Sequence, residues 1–464
     1  MQNSSVLLRV LGALVVGYIF ERLIRSALSP LRAAPGPFQA RYTDLCISDP
    51  EALNTIYGHG TRFAKSSWYD AWVPPNGWNL FGDRSIQRHA NTRRQLQSTY
   101  SMTSLVSYEP YVDECTEIFS QRLSEMSTAG TLVDMGHWLQ CYAFDVIGQI
   151  TYGKRIGFLD RGADIQGIMS AIENGLAYGT LIGIYARFHR VGFAVVNFLA
   201  GKKGAGREYI VGLSTTRIAE EQENRKIMAS HSENLTIAEP FVSKFLAKYE
   251  QDPEKFTMQH VLAGCTANLA AGSDTTEQLR AEIAGFQQQG SLSSSFSFKE
   301  TQQMPYLQAV IKETLRMHPA TGLPMERVVP EGGATISGYF FPEGTIVGIN
   351  SWVAHRNAQV FGADADEFNP GRWLISDGDK LAAMNRQWIP FGMGSRTCIG
   401  RHISTLEISK LIPRIVRDFD FELLGGGAKN SWATQNVWFV KPRGFQVKVT
   451  AREPERRYKE TKGI

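Results

Sequence analysis

The chain has 464 residues, 43% of them hydrophobic and 20% charged, which excludes a disordered or fibrous protein and leaves ample material for a large core. Lysine plus arginine number 49 against 45 acids, a net charge of +4, too small an excess for a dedicated nucleic-acid binder. Cys46, Cys115, Cys141, Cys265 and Cys398 are scattered singly; this excludes a disulfide framework or zinc knuckle and fits a reducing, cytosol-facing environment.

The first element is the apolar run Val6 to Phe20, interrupted by Arg9 and two glycines. It is shorter than the ~20 residues that span a bilayer comfortably, and Met1 to Ser5 lacks the basic side chains of a secretory leader. With Arg22, Arg25 and Arg32 behind it, the run reads as a membrane anchor that leaves the rest of the chain cytosolic. A buried or interfacial helix is the alternative. Pro35-Gly36-Pro37 is a stiff break, so the expected organisation is an anchor and hinge over 1–37, a catalytic domain over 38–450 and a basic polar tail over 451–464.

Helical periodicity dominates the remainder of the chain: roughly Tyr108 to Met126, Trp138 to Tyr152, Gly206 to Ser230, Thr257 to Gln289, Tyr306 to Met317 and Arg401 to Val416. Strand-like runs are short, as at Thr335 to Tyr339, Thr345 to Asn350 and Phe445 to Thr450. Length alone suggests about three domains, yet no linker divides the chain. The expected fold class is mainly α, one large helical domain with small sheets.

Several motifs carry chemistry. Trp68, Tyr69, Trp72, Trp78 and Phe81 crowd one loop, as plain packing or as a pocket wall. His89 and Arg93 share a helical face at i, i+4 spacing, a pattern that also suits a solvated basic surface. Ala271-Gly272-Ser273-Asp274-Thr275-Thr276 interrupts a helical run with poor helix formers. Threonine hydroxyls there can bond back and bend the helix, making either a functional bulge or an ordinary helix end. Glu313-Thr314-Leu315-Arg316 pairs an acid and a base inside an apolar helix. If buried, that pair needs a further partner, and Arg372 in Phe368-Asn369-Pro370-Gly371-Arg372-Trp373 supplies one.

The most informative segment is Phe391-Gly392-Met393-Gly394-Ser395-Arg396-Thr397-Cys398-Ile399-Gly400. Its glycines let the backbone turn tightly and pass close to something flat. Cys398 precedes an apolar-periodic segment, so it lies at a helix N-terminus, where dipole and free N–H groups stabilise a thiolate. Those are the requirements of a haem-iron ligand, with Arg396 suited to an anionic propionate. A buried free cysteine beside a flexible loop is the bland alternative.

On this pattern the chain resembles the cytochromes P450, the haem-thiolate monooxygenases, in the right order from about Tyr42 to Lys448. Tyr142-Ala143-Phe144-Asp145-Val146-Ile147-Gly148 looks most like fungal enzymes of secondary metabolism, including the pisatin demethylase group. The resemblance implies the P450 fold and heme b, with Cys398 as axial iron ligand and Phe391 and Gly400 beside it. It assigns His89, Arg93, Arg396 and Arg327 (after Gly322-Leu323-Pro324) to the propionates, and Glu313, Arg316 and Arg372 to a structural network bracing the cysteine loop. Asp274 and Thr275 become the carboxylate and hydroxyl that deliver protons for O–O cleavage. Ala267, Ala271, Leu323 and Trp438 match pocket positions, for a hydrophobic substrate of aromatic or terpenoid type.

No Gly-x-Gly-x-x-Gly follows a strand, so NADPH-derived electrons are expected from a separate NADPH-cytochrome P450 reductase, with cytochrome b5 as a further donor. The expected location is the endoplasmic reticulum membrane, the catalytic domain facing the cytosol, with no nucleic-acid partner. Two segments depart from the family: the chain is short before Ile47-Ser48-Asp49-Pro50, and Thr276 is followed almost at once by Leu279-Arg280-Ala281-Glu282-Ile283, where the family has a further helix. A degenerate haem-binding pseudoenzyme is therefore a second reading. A haem-thiolate isomerase or hydroperoxide-rearranging enzyme is a third, opposed by the intact Asp274-Thr275 pair. For the short segment, one continuous helix over Thr257 to about Gln289 is expected.

Overall fold

The computed structural model describes residues 45–75, 77–200, 205–229, 239–266, 282–283, 285–286, 293, 295–424 and 434–452. It opens with β1 (Leu45–Cys46), α1 (Ala52–Tyr57) and β2 (Ala64–Lys65), then a 3-10 turn at Ser67–Trp72 and α2 (Ile86–Leu96). A helical block comes next: α3 (Glu109–Ala129), β3 (Leu132–Asp134), α4 (Met135–Tyr152), α5 (Ile168–Gly183), α6 (His189–Ala200), α7 (Ala205–Ala229), α8 (Phe241–Gln251) and α9 (Met258–Thr266). Beyond it come α10 (Pro305–Met317), β4 (Arg327–Val328), β5 (Ala334–Ile336), β6 (Tyr339–Phe341), β7 (Ile346–Gly348) and α11 (Arg401–Asp418). The chain closes with β8 (Phe419–Leu423), β9 (Thr434–Val437), β10 (Phe439–Pro442) and β11 (Gln446–Ala451).

Local sequence explains these bounds. Pro110 stands in the first turn of α3, where its missing N–H is harmless, and Gly130 in the left-handed region (φ +63°) stops the helix. Asp134 caps α4 by accepting from His137 N, and Gly153 (φ +68°) ends it. Val112, Cys115, Phe119 and Leu123 of α3 recur at helical spacing and are buried, joining α4, α8 and α11 in the main core. Asp145 of α4, buried in that core, accepts from the N–H groups of Ile156, Gly157, Phe158 and Leu159 at 2.7–3.1 Å.

The sheet that matters for the site has order β1-β7-β4-β2. β1 runs parallel to β7, and β4 pairs antiparallel with both β7 and β2. A second core of Ala52, Leu53, Ile56 and Tyr57 from α1 with Val347 and Ile389 lies against it. The short opening segment thus still forms strands, reduced to two residues each.

Two expectations are corrected, and two more fall outside the described residues. The run Thr335 to Tyr339 is not one strand but the hairpin β5–β6, because Ser337 (φ +52°) and Gly338 (φ +79°) make a tight two-residue turn. Helices α5, α6 and α8 were not expected. Val191, Val195, Val196 and Phe198 of α6 are exposed, so its apolar residues do not mark a core-facing stripe. α9 is described as far as Thr266, and the continuous helix expected from there to Gln289 lies mostly outside the described residues. The apolar run of residues 6–20 also lies outside them; among the described residues no helix is long and apolar enough to cross a membrane.

Candidate functional site

The cysteine loop folds back on itself. Cys398 N donates to the Phe391 carbonyl at 2.7 Å, and Thr397 Oγ1 donates to the same oxygen at 3.1 Å. Gly392 (φ +72°) and Gly394 (φ +66°) occupy the left-handed region. A Cβ at Gly394 would stand 1.8 Å from the Tyr57 carbonyl oxygen, so the loop can approach α1 only through a glycine. α11 starts just beyond, and the N–H groups of Gly400 and Arg401 face Cys398 Sγ. Cys398 is accessible at its surface although protein atoms crowd around it. That crowding raises the thiol, while the two N–H groups and Arg93 oppose the shift.

Cations converge beside the thiol. Arg396 donates to the Asp83 carbonyl at 2.6 Å; burial and the charge of Arg327 lower its guanidinium to about 10. Arg327 donates to Glu326 O at 2.8 Å and lies over the Tyr57 ring at 4.9 Å. Arg93 and His89 share one face of α2. Burial lowers Arg93, and Cys398 and Arg401 are the charges that act on it. Among the described residues its guanidinium donates no hydrogen bond. His89 is pushed down to about 3 by burial and by Arg396, Lys65 and Arg93, so it stays neutral.

Lys65, which the sequence did not point to, completes the group. It is 6% exposed and held well below the usual lysine range by burial, Arg327 and Arg396. Asp83 is the carboxylate that offsets these charges, and it is already bound by Arg88, Trp78 Nε1 and Ser85 N. Buried like charges destabilise one another unless an anion joins them. A thiol faced by two N–H groups, beside cations short of anionic partners, therefore fits a haem with two carboxylates.

Glu313, Arg316 and Arg372 meet in a buried network. Arg316 grips Glu313 bidentately at 2.8 Å, and Arg372 Nε, Trp373 Nε1 and Asn369 N reach the same carboxylate at 2.9–3.0 Å. Burial would raise that carboxyl, but Arg316 and its other donors hold it below the usual range. His355 carries the network toward the cysteine loop: Nδ1–H donates to Arg316 O at 3.0 Å, and Ile389 N donates to Nε2 at 2.8 Å. Burial keeps this histidine neutral, its pKa pushed down to about 3.

The family model for cytochrome P450 matches residues 38–278 and 276–449. The chain belongs to the cytochrome P450 monooxygenase family. It is 34% identical to a cytochrome P450 monooxygenase of Aspergillus terreus, covering 82% of this chain and 81% of that protein. It is also 34% identical to pisatin demethylase of Fusarium vanettenii over 94% and 92% of the two chains. The cytochrome P450 monooxygenase cicH of Emericella nidulans is 31% identical over 97% and 99%. The P450 match falls into two stretches that overlap at 276–278.

In this P450 the structure brings together Cys398, Phe391, Gly400, Arg396, Arg93, His89 and Arg327, and places Glu313, Arg316 and Arg372 behind the loop. Asp274, Thr275, Ala267 and Ala271 lie outside the described residues. Trp68, Tyr69, Trp72 and Phe81 cluster with Trp438. Trp78 does not join them; its Nε1 donates to Asp83 and its ring packs on His260 at 5.0 Å. Lys65, Tyr57 and His355 were missed. For Lys65 the sequence carried no signal, because only the pairing of β2 with β4 sets it against Arg327.

Proposed function

We propose that this chain inserts one oxygen atom of O2 into a hydrophobic small molecule, hydroxylating or demethylating it, in fungal secondary metabolism. The observation that carries the reading is the accessible Cys398 thiol beside the under-neutralised cations Lys65, Arg93, Arg327 and Arg396. Cys398 would ligate the iron of heme b through its thiolate, and those cations with His89 would hold its propionates. When bound, the haem supplies dioxygen activation favoured by thiolate donation. Asp274 and Thr275 hold and pass the protons, and NADPH-derived electrons arrive through a cytochrome P450 reductase, with cytochrome b5 as a further donor. The run of residues 6–20 anchors the chain at the endoplasmic reticulum, catalytic domain toward the cytosol. Relatives named as monooxygenases and as a demethylase support this reading.

The test is the carbon monoxide difference spectrum of the reduced full chain, followed by turnover with NADPH and reductase. The wild type should give a thiolate-type spectrum that Cys398→Ser abolishes, while serine at Cys46, Cys115, Cys141 or Cys265 leaves it intact. Retention of that spectrum in Cys398→Ser would overturn the assignment. Haem loading without reductase-supported oxygen consumption across a substrate panel would favour the degenerate haem-binding protein instead.

A further inference from the structure

The cysteine loop opens on a turn that decides where two of its donors point. Ile389, Pro390, Phe391 and Gly392 form this turn, which Gly392 N closes by donating to Ile389 O at 3.0 Å. Pro390 stiffens its first corner. The Phe391 carbonyl that it presents accepts from Cys398 N at 2.7 Å and from Thr397 Oγ1 at 3.1 Å. Both donors belong to Cys398 or its neighbour, yet both turn to this oxygen. The sulfur is faced instead by the N–H groups of Gly400 and Arg401.

One side chain pins the turn from behind. Ile389 N can only donate, so at 2.8 Å it bonds the unprotonated Nε2 of His355. The imidazole proton therefore sits on Nδ1, which donates to Arg316 O at 3.0 Å. His355 is fully buried, and burial keeps it neutral, with its pKa pushed down to about 3. Both bonds thus persist at any pH above that. The residue before the turn is held separately, by Trp388 Nε1 donating to Lys312 O at 3.0 Å. Loss of the His355 acceptor accordingly leaves the segment attached at Trp388 and frees the turn alone.

We propose that His355 is a positioning residue for the Cys398 thiolate: by pinning Ile389 it holds the Phe391 carbonyl where it takes up two donors that would otherwise act on the sulfur. This rests on the monooxygenase reading, in which that sulfur would ligate iron, and adds the residue that sets the ligand's donor strength. Donors beside a ligating sulfur draw electron density from it, and such bonds tune the potential of the metal. Two N–H groups already face Cys398 Sγ. Further donors there would weaken the thiolate as an electron donor and make a bound iron easier to reduce. Glu313 acts differently: it holds Arg316 and Arg372 by charge and makes no hydrogen bond to the turn among the described residues.

The experiment compares wild type, His355→Phe and His355→Gln as full chains. Phenylalanine keeps a flat ring and removes both bonds, whereas the glutamine amide offers an acceptor to Ile389 N and a donor to Arg316 O. Hydrogen exchange of the cofactor-free chains needs no haem. Peptides covering 388–392 and 397–399 should exchange at least about tenfold faster in His355→Phe, with α3 and α4 at the wild-type rate and His355→Gln within about threefold of wild type. In the haem-loaded chains, the equilibrium with a one-electron dye should shift tenfold toward reduction in His355→Phe, a rise of about 59 mV. His355→Gln should return it toward wild type. Unchanged exchange at 397–399 in His355→Phe, a potential unchanged or lowered, or a glutamine variant as altered as phenylalanine overturns the proposal. Faster exchange throughout, α3 and α4 included, marks a merely structural role and overturns it too. If His355→Phe loads no haem, exchange at 397–399 in the two variants decides. The carbon monoxide spectrum of the reduced wild type is recorded alongside. Coupled exchange without a thiolate-type spectrum overturns the monooxygenase reading and sustains the link from His355 to Phe391. A thiolate-type spectrum with wild-type exchange and potential in His355→Phe overturns the positioning role alone.

Discussion

Lys65 and Arg327 stand directly opposite one another in the antiparallel pairing of β2 with β4, and both side chains are buried. Facing like charges destabilise a sheet, so this pairing is relieved by an anion lying against it or by loss of the Lys65 proton, which burial, Arg327 and Arg396 favour. Lys65→Met should therefore separate two properties. The cofactor-free chain should gain a few degrees in Tm, while haem should pass to apomyoglobin about tenfold faster. Because the folded-state pKa of Lys65 lies below its ordinary 10.5, its charge lowers stability as pH falls beneath that value. The Tm gain should accordingly be larger at pH 7 than at pH 10. Equal haem retention in variant and wild type would remove Lys65 from the site.

Glu313 is the single carboxylate that Arg316, Arg372, Trp373 and Asn369 share. Arg316 is fully buried, so Glu313→Ala strands a charge in the interior. Breaking a buried pair on one side should cost about 3–5 kcal/mol. Denaturant unfolding should show it, together with poor haem loading; a loss under 1 kcal/mol would mean that the network is replaceable.

Glu407 on α11 is buried and its carboxyl is raised to about 8 by desolvation. An acid whose folded pKa exceeds its unfolded value binds more protons when folded, so stability falls as pH climbs from the ordinary 4.5 toward 8. Glu407→Gln removes that slope. Its Tm should match wild type at pH 5 and exceed it by a few degrees at pH 8; parallel Tm–pH curves would contradict the assignment.

Thr275→Ala tests the proton-delivery role directly. The variant should keep its haem and its carbon monoxide spectrum, yet divert most NADPH consumption to hydrogen peroxide, because the hydroxyl positions protons rather than the cofactor. Unchanged product per NADPH would refute the role.

The cysteine loop and the Glu313–Arg316 pair were legible because their geometry is local: glycines set the turn around Cys398, and three-residue spacing puts acid and base on one helical face. Arg372 needed the family pattern, being distant in sequence. Lys65 was illegible because its meaning comes from register against Arg327, which pairing alone creates. His355 was hidden for the same reason, since its partners Arg316 and Ile389 meet only in the folded chain. Trp78 looked like a member of the aromatic loop until Asp83 claimed its N–H. The β5–β6 hairpin was missed because Ser337 at positive φ carries none of the usual Asn-Gly turn signal.

Tyr57 holds together segments that leave the ribosome far apart in time. Its hydroxyl donates to Met325 O at 2.8 Å and accepts from Ile349 N at 2.7 Å, and Gly394 packs against its carbonyl. β1 likewise waits for β7. Contacts of such long range form late, and synthesis proceeds at only about 5–20 residues per second. The wall behind Cys398 is therefore finished only after Gly394 has emerged, so a cofactor seated against it would be captured after that point, and the yield of active protein in a foreign host should follow the haem available then rather than the speed of translation.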